Sequence, residues 1–162
     1  MWVGFRINIA MEELGRKMVG RCAGLPLAII VLGGILATKH ALNQWDIVHE
    51  NIKLYLRRGK FRDQQQSGVS EVLALSYHEL PYQLKPCFLH LSNFREDIDI
   101  HTKKLVRIWV AEGLVSPMLE GEGTMEDVAE CYLGELLDRC MVQVGLRGST
   151  GSIQTVRLHG LM

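Results

Sequence analysis

This chain of 162 residues has no excess of either charge, no paired cysteines and no long hydrophobic run, and each lack excludes a class of protein. Lys+Arg and Asp+Glu both number 18, so the formal net charge is zero. Proteins that bind nucleic acid by neutralising phosphates usually carry a basic excess, and so do proteins that hold to an anionic membrane surface. The cysteines Cys22, Cys87, Cys131 and Cys140 include no Cys-x-x-Cys pair, which removes the common zinc and redox spacings. Each lies in or beside an apolar stretch, where a reduced thiol behaves as a small hydrophobe. They are read as buried free thiols of a protein in a reducing, cytoplasmic compartment. The longest apolar run, residues 23–37, is shorter than the roughly 20 residues of a membrane span and is interrupted by Gly24 and Pro26. Residues 1–6 show no signal-peptide pattern. No internal repeat is present, and no G-x-x-x-x-G-K-S/T segment cradles a phosphate. Gly33-Gly34 comes nearest, but no Lys-Ser/Thr follows it. Glu96, Asp97 and Asp99 lack EF-hand spacing, and His78, His90 and His101 lack metal-ligand spacing and are read as surface or helix-end residues.

What is present is helical periodicity. Met11, Leu14, Met18 and Cys22 recur at steps of three and four, which predicts one apolar stripe. Gly24 suits the C′ position after that helix, where positive φ is cheap, and Pro26 suits the first turn of the next. That second helix, residues 26–39, is apolar nearly all round and is predicted to be the most buried element. Gly33-Gly34 inside it is expected to let a neighbouring helix approach closely. Asn43 is placed as the cap of a third helix with Trp45, Val48, Ile52 and Tyr55 inward. Residues 57–68 read as an exposed loop. A fourth helix over residues 69–80 aligns Val69, Val72, Leu73, Ser76 and Leu80 and stops at Pro81.

The remainder changes character. Leu84, Cys87, Phe88 and Leu91 mark a short helix. Thr102 is placed as the cap of another, with Leu105, Ile108 and Trp109 inward and Gly113 at its end. Thr124 to Asp127 resembles a capping box, and the helix it starts carries Val128, Tyr132, Leu136 and Leu137 inward. Val142, Val144 and Leu146 then alternate, as do Ile153, Thr155-Val156 and Leu158, around a turn at residues 148–151. The fold class is therefore mainly α: a small helical bundle followed by a winged-helix domain with a C-terminal β-hairpin. Residues 1–9 are taken as an N-terminal stub, 10–80 as the bundle and 81–162 as the winged helix.

Six stretches resemble, in order, the motifs of plant NB-LRR disease resistance proteins. Cys22-Ala23-Gly24-Leu25-Pro26-Leu27-Ala28 resembles the GLPLA motif, and Trp45 with Asn51-Ile52 the helix after it. Leu75-Ser76-Tyr77-His78-Glu79-Leu80-Pro81 is similar to LSYDDLP, and Leu84-Lys85-Pro86-Cys87-Phe88-Leu89 to LKPCFLY. Residues 105–113, LVRIWVAEG, resemble LIRLWIAEG. Arg157-Leu158-His159-Gly160-Leu161-Met162 falls where the MHD motif stands. The resemblance identifies the chain as the C-terminal part of the NB-ARC module, its helical and winged-helix subdomains. It implies a regulatory part of a molecular switch in plant defence, closed with ADP and opened by exchange for ATP.

The family's P-loop and magnesium-binding residues lie upstream of the matched segment, so this chain is expected not to be an enzyme and to have neither catalytic nor metal-binding residues. The resemblance places Gly24, Pro26 and Leu27 beside adenine and His159 against the ADP β-phosphate, only where an upstream P-loop domain is joined. By itself the chain is expected to hold no cofactor. Proline offers a rigid apolar surface without a donor, and histidine a planar donor whose charge responds to phosphate. The implied partners are the P-loop, leucine-rich repeat and coiled-coil domains of an intact receptor, or a full-length relative onto which the chain docks as a decoy. The sequence departs from the family at Gly160, where the motif has Asp, and at Arg95, where Pro is common. Gly160 is expected to leave the loop carrying His159 less fixed. The alternative is a free-standing winged-helix nucleic-acid binder using Lys103, Lys104 and Arg107.

Overall fold

A computed structural model describes residues 8–22, 24–59, 69–96, 98–117 and 123–158, with backbone alone for 55–59 and 69–71. The chain divides into two compact units, Met1–Glu79 and Leu80–Met162.

The first unit is helical. Helix α1 (Ile9–Arg21) starts where the Met11 N–H donates to Asn8 Oδ1 at 2.8 Å. It buries Met11, Leu14 and Met18, and Cys22 beyond its end is also fully enclosed. Helix α2 (Pro26–Ala37) packs on α4 (Val69–His78), and α3 (Leu42–Gly59) packs on both α1 and α4. The helix expected to end at residue 56 runs to Gly59, and the rest of the expected loop, residues 60–68, lies outside the described residues. Trp45, Val48 and Ile52 line its inner side, and Trp45 Nε1 donates to the Lys39 carbonyl at 3.1 Å. Asn43 is not the cap. The side chain of Gln44 reaches back and accepts from the N–H groups of His40 and Ala41 at 2.8 and 3.1 Å. A glutamine at N3 spans that distance, whereas Asn43 already lies inside the first turn. In α4, Val72 and Ser76 are buried as expected, as is Leu80 just beyond it, but Leu75 is fully buried where the sequence reading has Leu73, which is only partly covered; the side chain of Val69 lies outside the described residues. Glu79 fastens this end of the unit, pairing with Lys39 at 2.9 Å and accepting from Asn51 Nδ2 at 3.4 Å.

The second unit opens with a 3-10 turn (Tyr82–Leu84) and α5 (Lys85–Leu91), which bury Leu84, Cys87 and Leu91. Strand β1 (Ile100–His101) leads into α6 (Thr102–Ala111), and α7 (Met125–Asp138) packs on α6. Strands β2 (Gln143–Val144) and β3 (Thr155–Arg157) complete an antiparallel three-stranded sheet in the order β1-β3-β2. The helix-helix-hairpin order is that of a winged helix, with an added strand that the sequence reading lacked. Thr102 does not cap α6. Its hydroxyl donates outward to the Ile153 and Gln154 carbonyls at 3.0 and 3.3 Å, tying the helix start to the hairpin. Leu105, Val106 and Trp109 form the buried stripe, with Ile108 only partly covered. Gly113, at φ +68°, closes α6 in a Schellman arrangement: its N–H donates to Val110 and that of Leu114 to Trp109. In α7 the inward line uses Val128, Ala129, Leu133 and Leu136, so the expected Tyr132 and Leu137, both only partly covered, give way to Ala129 and Leu133.

Candidate functional site

The turn between α1 and α2 is built by one glycine and one proline. The Leu25 N–H donates to the Cys22 carbonyl at 3.0 Å, and Gly24, third residue of that turn, has φ +75°. A residue at that turn position needs the left-handed region when the turn is type II, which glycine enters without steric cost. The left-handed residue stands one position later than C′, because Cys22 is the C-cap of α1. Pro26 is the first residue of α2, where its fixed φ fits and its missing N–H breaks no bond. Leu25, the N-cap, gives the helix start no side-chain hydrogen bond.

The four residues of this corner have different surroundings. Leu25 is 40% exposed and Pro26 is on the surface, whereas Leu27 is 6% exposed and Ala28 fully buried. Leu27 therefore anchors the corner from below, and Pro26 presents its ring outward. One turn on, Ile29 and Ile30 are also exposed, at 36% and 49%. Helix α2 is thus not buried all round, as its composition suggested. The other helices of its unit cover one side, leaving an apolar strip of Leu25, Pro26, Ile29 and Ile30. Their near-uniform apolarity concealed this strip, because a helix without a polar face gives no sign of which side is outward. Gly33 also faces outward, and a Cβ added there meets nothing within 4 Å. It is not a close-approach glycine; Gly34 is the buried member of the pair.

The second sequence-predicted site, His159, lies outside the described residues, as does Gly160. The described chain reaches Leu158, which is 8% exposed and directly follows β3.

The remaining candidates separate by burial. Cys22 and Cys87 are buried free thiols, and burial raises both, Cys87 to about 11. Cys131 is exposed and Cys140 half-buried, contrary to the expectation for all four, because position 131 falls on the outer side of α7. His78 and His101 are exposed, and His90 is half-buried with its ring edge-on to Phe94 at 5.8 Å. Among the described residues no three His, Cys, Asp or Glu side chains gather as a metal site. No helix among them is long and apolar enough to cross a membrane.

Lys103, Lys104 and Arg107 are exposed on α6. The following helix, α7, is the one a helix-turn-helix would insert into a groove. It carries Glu126, Asp127, Glu130, Glu135 and Asp138 and no Lys or Arg. Those carboxylates repel a phosphate backbone, which weighs against the nucleic-acid reading.

The family model for the disease resistance protein winged helix domain matches residues 94–162. A putative disease resistance protein of Arabidopsis thaliana is 47% identical over 156 residues, 94% of this chain and 18% of that protein. A probable disease resistance RPP8-like protein from the same plant is 43% identical over 152 residues, 93% of this chain and 17% of that protein. The disease susceptibility protein LOV1, also from Arabidopsis thaliana, is 42% identical over 139 residues, 86% of this chain and 15% of that protein. The chain spans less than a fifth of the length of the curated relatives it matches.

Proposed function

Because the chain belongs to the plant NB-LRR disease resistance proteins, with their winged helix domain over residues 94–162, we propose that it is the regulatory, nucleotide-sensing part of a defence switch. In this reading it does no phosphoryl chemistry. It contributes surfaces to a nucleotide held by a P-loop domain joined to it, and it moves when the nucleotide changes.

The observation that carries the reading is the exposed apolar corner of Leu25 and Pro26, seated on buried Leu27 and Ala28 and continued by Ile29 and Ile30. A contiguous apolar strip of this kind on a soluble protein marks a contact surface. The Pro26 ring is a flat, rigid wall for adenine and leaves no donor unsatisfied against it. Leu27 holds the wall in place from the core rather than meeting the base with its side chain. His159 donates to the β-phosphate, and the winged helix is thereby tied to the ADP-bound state. Gly160 stands where the motif has Asp and offers no side-chain hydrogen bond, so in this reading the closed state is less secure.

The test is calorimetric titration of ADP into the chain alone and into the chain joined to a relative's P-loop domain. The joined form is expected to bind and the chain alone is not. His159→Ala is expected to weaken binding about ten-fold or more, as for a lost hydrogen bond to a charged group. A folded joined protein that binds no ADP, or one indifferent to His159→Ala, overturns the reading.

A further inference from the structure

The three strands of the winged helix meet at a polar cluster just before the chain reaches His159. Arg157 is the last residue of the central strand, β3, and Asp99 immediately precedes β1. With Ile100 opposite Val156, the next rung of the ladder sets Asp99 opposite Arg157. The guanidinium donates to Asp99 Oδ1 from both Nε and Nη2, at 3.2 and 2.9 Å.

The same carboxylate extends over the central strand to the β2 side. A Cβ built on Gly145, the residue after β2, would overlap both Asp99 Oδ1 and Thr155 Oγ1. Thr155 is buried at 1% exposure, and its hydroxyl accepts the Leu146 N–H at 2.7 Å. The Gly145 N–H donates to the Thr155 carbonyl at 2.9 Å. Asp99, Gly145, Thr155 and Arg157 thus connect all three strands on one face, and glycine at 145 is what leaves the carboxylate room.

We infer that Asp99 and Arg157 are positioning residues, a brace that fixes the direction in which β3 delivers the chain to His159. The consequence for nucleotide rests on the function proposed above; the brace itself does not. The side chains of Arg157 and Asp99 are 39% and 35% exposed, and pairs this exposed add little to global stability. The effect of the brace is therefore local: it acts on fluctuations of the sheet's exit and leaves overall unfolding nearly unchanged.

Two measurements test it. In the chain alone, amide hydrogen exchange is followed in the wild type, Asp99→Asn and Gly145→Ala, the last displacing the carboxylate, and with it the Thr155 hydroxyl, without removing charge. The amides of Gly145, Leu146, Gln154 and Thr155 are expected to exchange about three- to ten-fold faster in both variants, with α1 to α4 unchanged. Unchanged exchange at those amides in Asp99→Asn overturns the brace, whatever Gly145→Ala does, because the latter also displaces the Thr155 hydroxyl directly. In the chain joined to a P-loop domain, Asp99→Asn is expected to speed ADP release several-fold in the wild-type background and to add nothing in His159→Ala. The charge swap Asp99→Arg with Arg157→Asp is expected to restore part of the loss. Equal acceleration in both backgrounds means that the brace does not act through His159 and overturns that half of the inference. If the wild-type joined protein holds no ADP, the nucleotide reading falls together with that half, while the exchange experiment still decides the brace.

Discussion

Thr124 and Asp127 satisfy each other's backbone at the start of α7: the Asp127 N–H donates to Thr124 Oγ1 at 3.1 Å, and Asp127 Oδ2 accepts the Thr124 N–H at 2.7 Å. The Thr124 hydroxyl also donates to that carboxylate, at 2.7 Å. These bonds hold the Asp127 carboxyl below its usual range, the hydroxyl contributing most. A carboxylate lowered by folding stabilises the fold above its unfolded pKa, and that gain fades as pH falls through the folded value. Asp127→Ala is therefore expected to lower the unfolding midpoint at neutral pH, with the gap from wild type closing below the ordinary carboxylate range. Thermal melts of both proteins across a pH series check this. Thr124→Ala is expected to cost roughly 0.5–2 kcal/mol at neutral pH.

Cys140 closes the other end of the same helix with φ 56°, a conformation that glycine usually supplies. Its N–H donates to Leu137 and that of Met141 to Leu136, so the strain is held by a complete Schellman pair. Cys140→Gly removes the Cβ crowding at a smaller entropic cost and is expected to stabilise the chain by up to about 1 kcal/mol. Cys140→Val is expected to destabilise it. Denaturant unfolding of the two variants gives the sign.

Two glycines of the first unit behave oppositely. Gly24 has φ +75°, so Gly24→Ala is expected to cost about 1 kcal/mol or more and to disturb the corner that carries Pro26. Gly33 is helical, outward and unobstructed, so Gly33→Ala is expected to gain roughly 0.5–1 kcal/mol. Equal effects of the two substitutions in urea titration contradict the assignment.

Thiol chemistry sorts the cysteines. Cys131 is exposed, Cys140 half-buried, and Cys22 and Cys87 are enclosed with their thiols pushed up by burial. Mass spectrometry after brief alkylation of the native chain at mildly alkaline pH is expected to show Cys131 modified first and Cys22 and Cys87 only after unfolding.

The exposed strip on α2 makes a further expectation. Ile30→Glu places a charge at a half-exposed apolar position. It is expected to raise the solubility of the chain alone, read by light scattering against concentration, with its helical circular dichroism unchanged. Loss of helicity instead places Ile30 in the core.

The helices were legible because their periodicity is local and repeated. Met11, Leu14 and Met18 recur at the helical step, and the Thr124 capping box and the punctuation at Gly24, Pro26 and Gly113 are short-range chemistry. The errors share a different origin. Val142, Val144 and Leu146 alternate, yet Leu146 is 56% exposed, because regular pairing with β3 ends at Val144. Strand β1 is two residues long, too short for any alternation, and exists only because β3 pairs with it. Asn43 and Thr102 are cap candidates by residue type alone; at α3 the next residue, Gln44, supplies the capping side chain, and at α6 no side chain caps the helix because the Thr102 hydroxyl turns to the hairpin.

For the candidate site, the amino-acid order specified the corner itself: a glycine free to take positive φ and a proline preset for the first helical turn are backbone preferences carried by single residues. Which of its side chains face outward depended on three-dimensional packing. Leu25, Leu27, Ile29 and Ile30 are alike in hydrophobicity, and only the placement of the neighbouring helices makes Leu27 an anchor and the other three a surface.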